Sequence, residues 1–300
     1  MIDSPDIPLN VSRSYLQSDT SVKKITNYIT RKVADKLNSI FKNERENLES
    51  KWNDIKVVIE YGMLTEDKFY DKAESFNLYP TVDDKYFTYE ELEKKIKKLQ
   101  TDKDGNLIIL YAQNKDEQYT YIESAKEKGY EVLLLDSPII PHLMQKLESK
   151  KEKIKFSRVD SDTLENLIKK DEEVISKLTD EEKEKLKPMI ETAVENEKYT
   201  LQLEALDSNS MPFMLAQPEF MRRMKEMQQT GGGAMGNLPD MYSLIVNTNH
   251  ELVGKILNTR TEKKRNSLIK QSIDLAKHSQ NNLKGKDLTE FINRSIDLIK

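Results

Sequence analysis

Two short apolar runs constrain this chain more than any other feature: Leu107-Ile108-Ile109-Leu110-Tyr111 and Glu131-Val132-Leu133-Leu134-Leu135-Asp136. Each is too short for a stable helix and reads as a buried strand. Asp104-Gly105 supplies a turn before the first, and Glu117 to Lys128 forms a helical stretch that Gly129 ends before the second. Strand, helix and strand within about 30 residues predict a βαβ unit, parallel and with a right-handed crossover. Ser137-Pro138 stops the second strand, and Pro141-His142-Leu143-Met144 leads into another helix. Upstream, Phe69, Ala73 and Phe76 mark a short helix. Glu90 to Leu99 marks another, with Leu92, Ile96 and Leu99 facing inward. The expected architecture here is a small α/β sandwich.

That sandwich offers little chemistry of its own. No GxGxxG or Walker-type loop follows either strand, so it is not a nucleotide fold in its own right. Asp102-Lys103-Asp104-Gly105 looks like part of a calcium loop, but Gln100 and Tyr111 fall where that loop needs carboxylates. Asp136 has no nearby histidine or acid and reads as a cap or turn residue. His142, His250 and His278 lie far apart and cysteine is absent, so no metal site is expected. The absence of cysteine also suits a reducing compartment. The 48 basic and 52 acidic residues are mixed along the chain, which leaves no basic patch for nucleic acid. Runs of Lys and Glu at 93–98 and 146–155 read as solvated helix faces. No stretch approaches the ~18 apolar residues of a membrane span, and no signal peptide is evident.

At 300 residues, two domains are the default. Before the sandwich, Pro5 and Pro8 keep the opening extended, and it reads as a start inside a larger protein. From Asp19 a long amphipathic helix carries Val22, Ile25, Ile29, Val33, Leu37 and Ile40. A second carries Leu48, Trp52, Ile55 and Ile59, with Gly62 after its expected end. Matching stripes predict a helix pair, with Trp52 as its buried anchor.

After the sandwich, Ser157 to Leu178 is rich in charge and reads as an interdomain connection. Asp180 to Val194 is a charged helix containing Pro188, which either kinks it or resets its start. Tyr199 to Leu206 and Tyr242 to Val246 read as two strands, and Glu251 to Leu257 as a helix. These elements make a small α+β domain. Between the strands lies Met211 to Met241, which holds seven of the eleven methionines. Phe220, Met224 and Met227 are spaced to line one helix face, with Met221 beside them and Arg222, Arg223, Lys225 and Glu226 around the rest. Two readings stand: a core-facing helix before the Gly231-Gly232-Gly233 loop, or an adaptable surface for other proteins. Two helices close the chain. Leu268, Ile269, Ile273 and Leu275 mark the first; Leu288, Phe291, Ile292, Ile296 and Ile299 mark the second, with Asp287 and Glu290 at its N-cap and N3. The second helix's apolar arc is wide enough for a four-helix bundle with another copy, or for packing back on its own domain.

The run Ile7-Pro8-Leu9-Asn10-Val11-Ser12-Arg13, closed by Leu16-Gln17, resembles the LPLNVSRE-x-LQ segment of the heat-shock-protein-90 chaperones, in the bacterial high-temperature protein G branch. Ser14 and Tyr15 depart from that pattern but leave the arginine in place. Lys128 to Asp136 is similar to the family's KG-x-EVLLL strand, and the chain ends without a MEEVD tail. The resemblance implies the end of a middle domain (1–156), a linker (157–178) and a C-terminal dimerization and client-contact domain (179–300). It implies that Arg13 meets the γ-phosphate of ATP with magnesium in a full-length cytoplasmic chaperone, with Asn10 and Gln17 ordering its loop. This chain alone would bind no nucleotide and show no ATPase activity. It further implies client contact through Phe213, Met214, Phe220, Met221, Met224 and Met227. The expected partners are a second copy of the chain, non-native clients and co-chaperones. A scaffold homodimer without client binding is the alternative. A small α/β enzyme ranks lower, because no nucleophile, base and orienting group assemble from the sequence.

Overall fold

The computed structural model describes residues 20–171, 174–194, 199–231 and 241–299. The chain divides into two compact units, one of residues up to 80 with 85–93, the other of 81–84 with 94–300.

The first unit is mainly helical. The long amphipathic helix is present as α1 (Thr20–Asn43), followed by α2 (Arg45–Ser50), α3 (Trp52–Thr65) and α4 (Asp67–Ala73). The expected second helix is therefore two helices, broken at Lys51. Trp52 is buried, as read, whereas Val33 on α1 is exposed. A two-residue antiparallel pair, β1 (Tyr79–Pro80) and β2 (Tyr86–Phe87), leads to α5 (Tyr89–Gln100). Arg45 holds these pieces together: its guanidinium donates to Glu91 at 2.5 and 2.9 Å, to the Tyr86 carbonyl at 2.9 Å and to Glu49 at 2.7 Å.

Gly62 does not end the helix; α3 runs through it to Thr65. Its role is close approach. A Cβ there would stand 2.8 Å from Cε1 of Phe69, a buried ring set edge-on to Phe76. In an exposed helix Gly→Ala gains about 1 kcal/mol, but overpacking of this kind costs about 1–3 kcal/mol. Gly62→Ala is therefore expected to lose about 1 kcal/mol net, read as a lower urea midpoint at unchanged slope. A raised midpoint would mean that Phe69 yields without cost.

The second unit contains two sheets. In the first, β3 (Leu107–Ala112) lies between β4 (Val132–Leu134) and β5 (Ile154–Arg158), parallel to both. The crossover α6 (Tyr119–Glu127) joins β3 to β4, which realises the predicted βαβ unit. Every residue of β3 is buried. Gln100 ties α5 to this sheet, donating to the Ile108 carbonyl at 2.9 Å and accepting from the Glu131 N–H at 2.7 Å. Leu99, expected inward, is 45 % exposed; inward packing at that end of α5 passes to Gln100. After α7 (Ile140–Lys150), β5 is a strand the sequence reading missed, because Ile154 and Phe156 are its only apolar residues and polar Lys155, Ser157 and Arg158 fill the rest. The segment read as a connection from Ser157 begins inside β5. Val159, Leu164 and Ile168 belong to the sheet's core, with α8 (Leu164–Leu167) capped by Thr163.

The second sheet is ordered β6 (Tyr199–Glu204), β8 (Tyr242–Asn247), β7 (Phe213–Ala216), numbered along the chain. β6 runs parallel and β7 antiparallel to β8. β7 is the third strand where two were expected; it lies inside the methionine-rich segment, between Pro212 and Pro218. Helix α9 (Asp180–Ala193) starts at a Thr179–Glu182 capping box and continues through Pro188. After β7 come α10 (Glu219–Gly231), α11 (Glu251–Asn258), α12 (Glu262–Ser279) and α13 (Gly285–Ile299). Asp287 thus lies within the first turn of α13 rather than at its N-cap. Leu186, Ile190, Phe213, Val246, Val253 and Ile269 centre the core of this half.

Candidate functional site

Arg13, Asn10 and Gln17 lie outside the described residues. The site that the structure builds is the seat of α10. β5 is an edge strand, and an uncovered edge leaves backbone groups without partners. Here side chains cover it. The Phe156 N–H donates to Glu148 of α7 at 2.7 Å, and the Arg158 N–H donates to Glu219 at the start of α10 at 3.1 Å. The Phe156 carbonyl accepts from Arg223, which also pairs with Glu148 at 2.7 Å and with Glu219 at 2.7 Å. Arg222, only 4 % exposed, pairs with Glu219 at 2.6 Å and Glu226 at 2.5 Å and donates to the Tyr111 hydroxyl. That hydroxyl donates in turn to Glu219 at 2.7 Å. Arg158 extends the network to Asp160 at 2.5 Å and Gln113 at 3.0 Å.

Burial pushes the Glu219 carboxyl up, but Arg222 and Arg223 more than offset this and hold it below the usual carboxylate range. Burial likewise raises the Tyr111 phenol, aided by Glu219, so it stays a neutral donor. Glu219 is therefore ionised and Tyr111 neutral at neutral pH. Such a network is specific in geometry, because each buried charge needs its partner in place.

Of the two readings of α10, this arrangement departs from the core-facing one at Phe220, which is 70 % exposed, while Arg222 is the deepest described side chain of the helix. Met221, Met224 and Met227 are half-buried. Phe213 is 3 % exposed in the core of β7, and Met214 is half-buried beside it. Tyr111, Glu148 and Arg158 were not read as site residues from sequence; their partners on α10 lie 61 to 111 positions away, and no local spacing announces such pairs.

The C-terminal helices divide in the same way. Ile269 and Ile273 lie in the domain's own core, with Leu268 half-buried against it. Leu288 and Phe291 are half-buried, and Phe291 stacks on His278 at 6.2 Å. Arg294 fastens α13 to α12 through Asp274 and through Gln271 at 2.9 Å, and Gln271 donates to Ser295 at 2.8 Å. Leu275, Ile292, Ile296 and Ile299 remain exposed, by 49, 48, 46 and 85 %. Among the described residues no group of acidic or histidine side chains could hold a metal ion, and no helix is long and apolar enough to cross a membrane.

The family model described as Hsp90 protein matches residues 1–286. The chain belongs to the Hsp90 family. A chaperone protein HtpG of Bacteroides thetaiotaomicron is 42 % identical, covering all of this chain and 54 % of the relative. One from Bacteroides fragilis is 51 % identical over 86 % of this chain and 38 % of its own length. One from Porphyromonas gingivalis is 45 % identical over 92 % and 41 %. The chain spans about half the length of the curated relatives it matches. Its α/β architecture, with small parallel and mixed sheets under helices, is that of an Hsp90-family chain.

Proposed function

We propose that this Hsp90-family chain is the client-contacting and self-associating part of a cytoplasmic chaperone that assists protein folding with ATP. The observation that carries the reading is Phe220, an aromatic side chain 70 % exposed on a helix whose other face is ionically anchored. An anchored helix presents its methionines and Phe220 at fixed positions, and methionine adapts to varied partners. β3 runs into Gln113-Asn114 and β4 into Leu135-Asp136, neither a glycine-rich loop. ATP contact through Arg13, with Asn10 and Gln17 ordering its loop, is proposed on the family resemblance alone. A domain boundary at 179 and partnership with co-chaperones belong to the same proposal, whereas a boundary at 156 would cut β5.

The test is Phe220→Ser with Met224→Ser and Met227→Ser, assayed for binding to a partly unfolded protein. Affinity is expected to fall by about 5- to 30-fold, the effect of losing one interface hot spot. Phe220→Ser alone should leave the melting temperature almost unchanged. Unchanged binding with a lowered melting temperature would favour a scaffold homodimer, the reading to which the half-buried methionines lend some support.

A further inference from the structure

A cleft of about 310 Å³ opens in the second unit, with no residue of α10 in its lining. One wall is α6, a second is the turn leading into α8, and the third is the connection between β6 and β7. Its floor is apolar: Val159, Leu164, Leu206, Met211 and Met214 line it. The third wall is held in place. The Leu206 N–H donates to Asn247 Oδ1 at 3.2 Å, Asn247 donates to the Asp207 carbonyl at 2.7 Å, and Asn249 donates to the Leu206 carbonyl at 3.0 Å. Asn247 is fully buried, so the cleft is formed before any ligand arrives.

The rim is one-signed. Glu127, Asp162 and Asp207 line it, while the one lining lysine, Lys128, is already paired with Glu165 at 2.8 Å. Behind the rim, Glu204 accepts from Asn166 at 2.9 Å. Burial, with a smaller contribution from the neighbouring Asp162, pushes its carboxyl above the usual range against the Asn166 hydrogen bond. An apolar floor under a net acidic rim complements a cation attached to an aliphatic side chain.

We propose that this cleft is a docking site for a short peptide segment carrying a lysine or arginine beside an aliphatic residue. The site is distinct from Phe220 and its methionines and does not depend on the function proposed for them. The volume lies at the small end for ligand sites, which suits a short motif and modest affinity. The two methionines of the floor would accommodate leucine, isoleucine or valine alike.

The chain has no cysteine, so Ser124→Cys places a single environment-sensitive fluorophore on the rim of the intact protein. The probes are the blocked tetrapeptides Leu-Lys-Leu-Lys and Leu-Glu-Leu-Glu. The lysine peptide should bind saturably and the glutamate peptide should not. Glu127→Gln with Asp207→Asn should weaken binding by about 2- to 25-fold, the product of two exposed ion pairs. Phe220→Ser should leave it unchanged. Circular dichroism of the double variant verifies that it folds, and 0.5 M NaCl imposes the same screening on the unmutated rim. Equal binding of both peptides, no binding at millimolar lysine peptide, or loss only with Phe220→Ser would each overturn the proposal.

Discussion

Glu219→Ala is expected to free α10 from its seat without unfolding the sheets. The carboxylate accepts from the Tyr111 hydroxyl, the Arg158 N–H, Arg222 and Arg223. Its removal leaves Arg222, 4 % exposed, with Glu226 as its remaining carboxylate. Breaking a buried pair by deleting one member costs about 3–5 kcal/mol. Glu219 is 19 % exposed, so a figure of about 3 kcal/mol is the appropriate end of that range. The substitution leaves the apolar side chains under both sheets in place, so the loss falls on α10. Amide exchange over residues 219–231 should accelerate roughly a hundredfold, while β3 and β8 keep their protection. Uniform acceleration across the unit would show that the network supports the whole fold instead.

Acid should mimic the substitution, and the sign follows from the lowered Glu219 carboxyl. A carboxylate with a depressed pKa contributes stability in full above its unfolded value, near 4.5, and loses it as pH falls through the folded value. Release of α10 is thus expected only below about pH 4.5, with none between pH 6 and 8. Glu219→Gln keeps one acceptor oxygen, enough for the Tyr111 hydroxyl or the Arg158 N–H but not both, and lacks the charge, so it should fall between wild type and alanine.

These residues also explain what could be read in advance. Leu107 to Tyr111 and Glu131 to Asp136 are continuous apolar runs around a helix that stops at a positive-φ glycine, Gly129, and that pattern has one economical topology. β5 and β7 carry weaker signals. β5 is an edge strand with Lys155 exposed in its middle, and β7 is four residues inside a stretch dominated by methionine. The orientation of α10 was harder. Phe220, Met224 and Met227 share a helical period with Glu219, Arg222, Arg223 and Glu226. Two stripes of one period cannot show which faces inward; that choice was made by Tyr111, Glu148 and the open edge of β5. Within α12 the stripe did face the core at Ile269 and Ile273, but Leu275 lies off it and is exposed.

Ile292→Asp with Ile296→Asp is expected to abolish self-association through the C-terminal helices. The buried face of α13 is already used, since Arg294, Ser295 and Phe291 meet α12. Ile292, Ile296 and Ile299 remain outside, with Leu275 exposed on α12. Their spacing along α13 is i, i+4, i+7, one continuous stripe. Fully burying such a side chain is worth about 1.5–3 kcal/mol, and each of the two isoleucines is about half exposed, so each has roughly 1 kcal/mol still to gain. In a two-fold symmetric interface every substitution counts twice. Two positions on two protomers then cost about 4 kcal/mol, roughly a thousandfold in dissociation constant, before any penalty for burying aspartate. Sedimentation equilibrium should show wild-type dimers at tens of micromolar and variant monomers with unchanged helicity. Wild-type monomers at that concentration would refute self-association, and a variant that still dimerises would place the interface on another face.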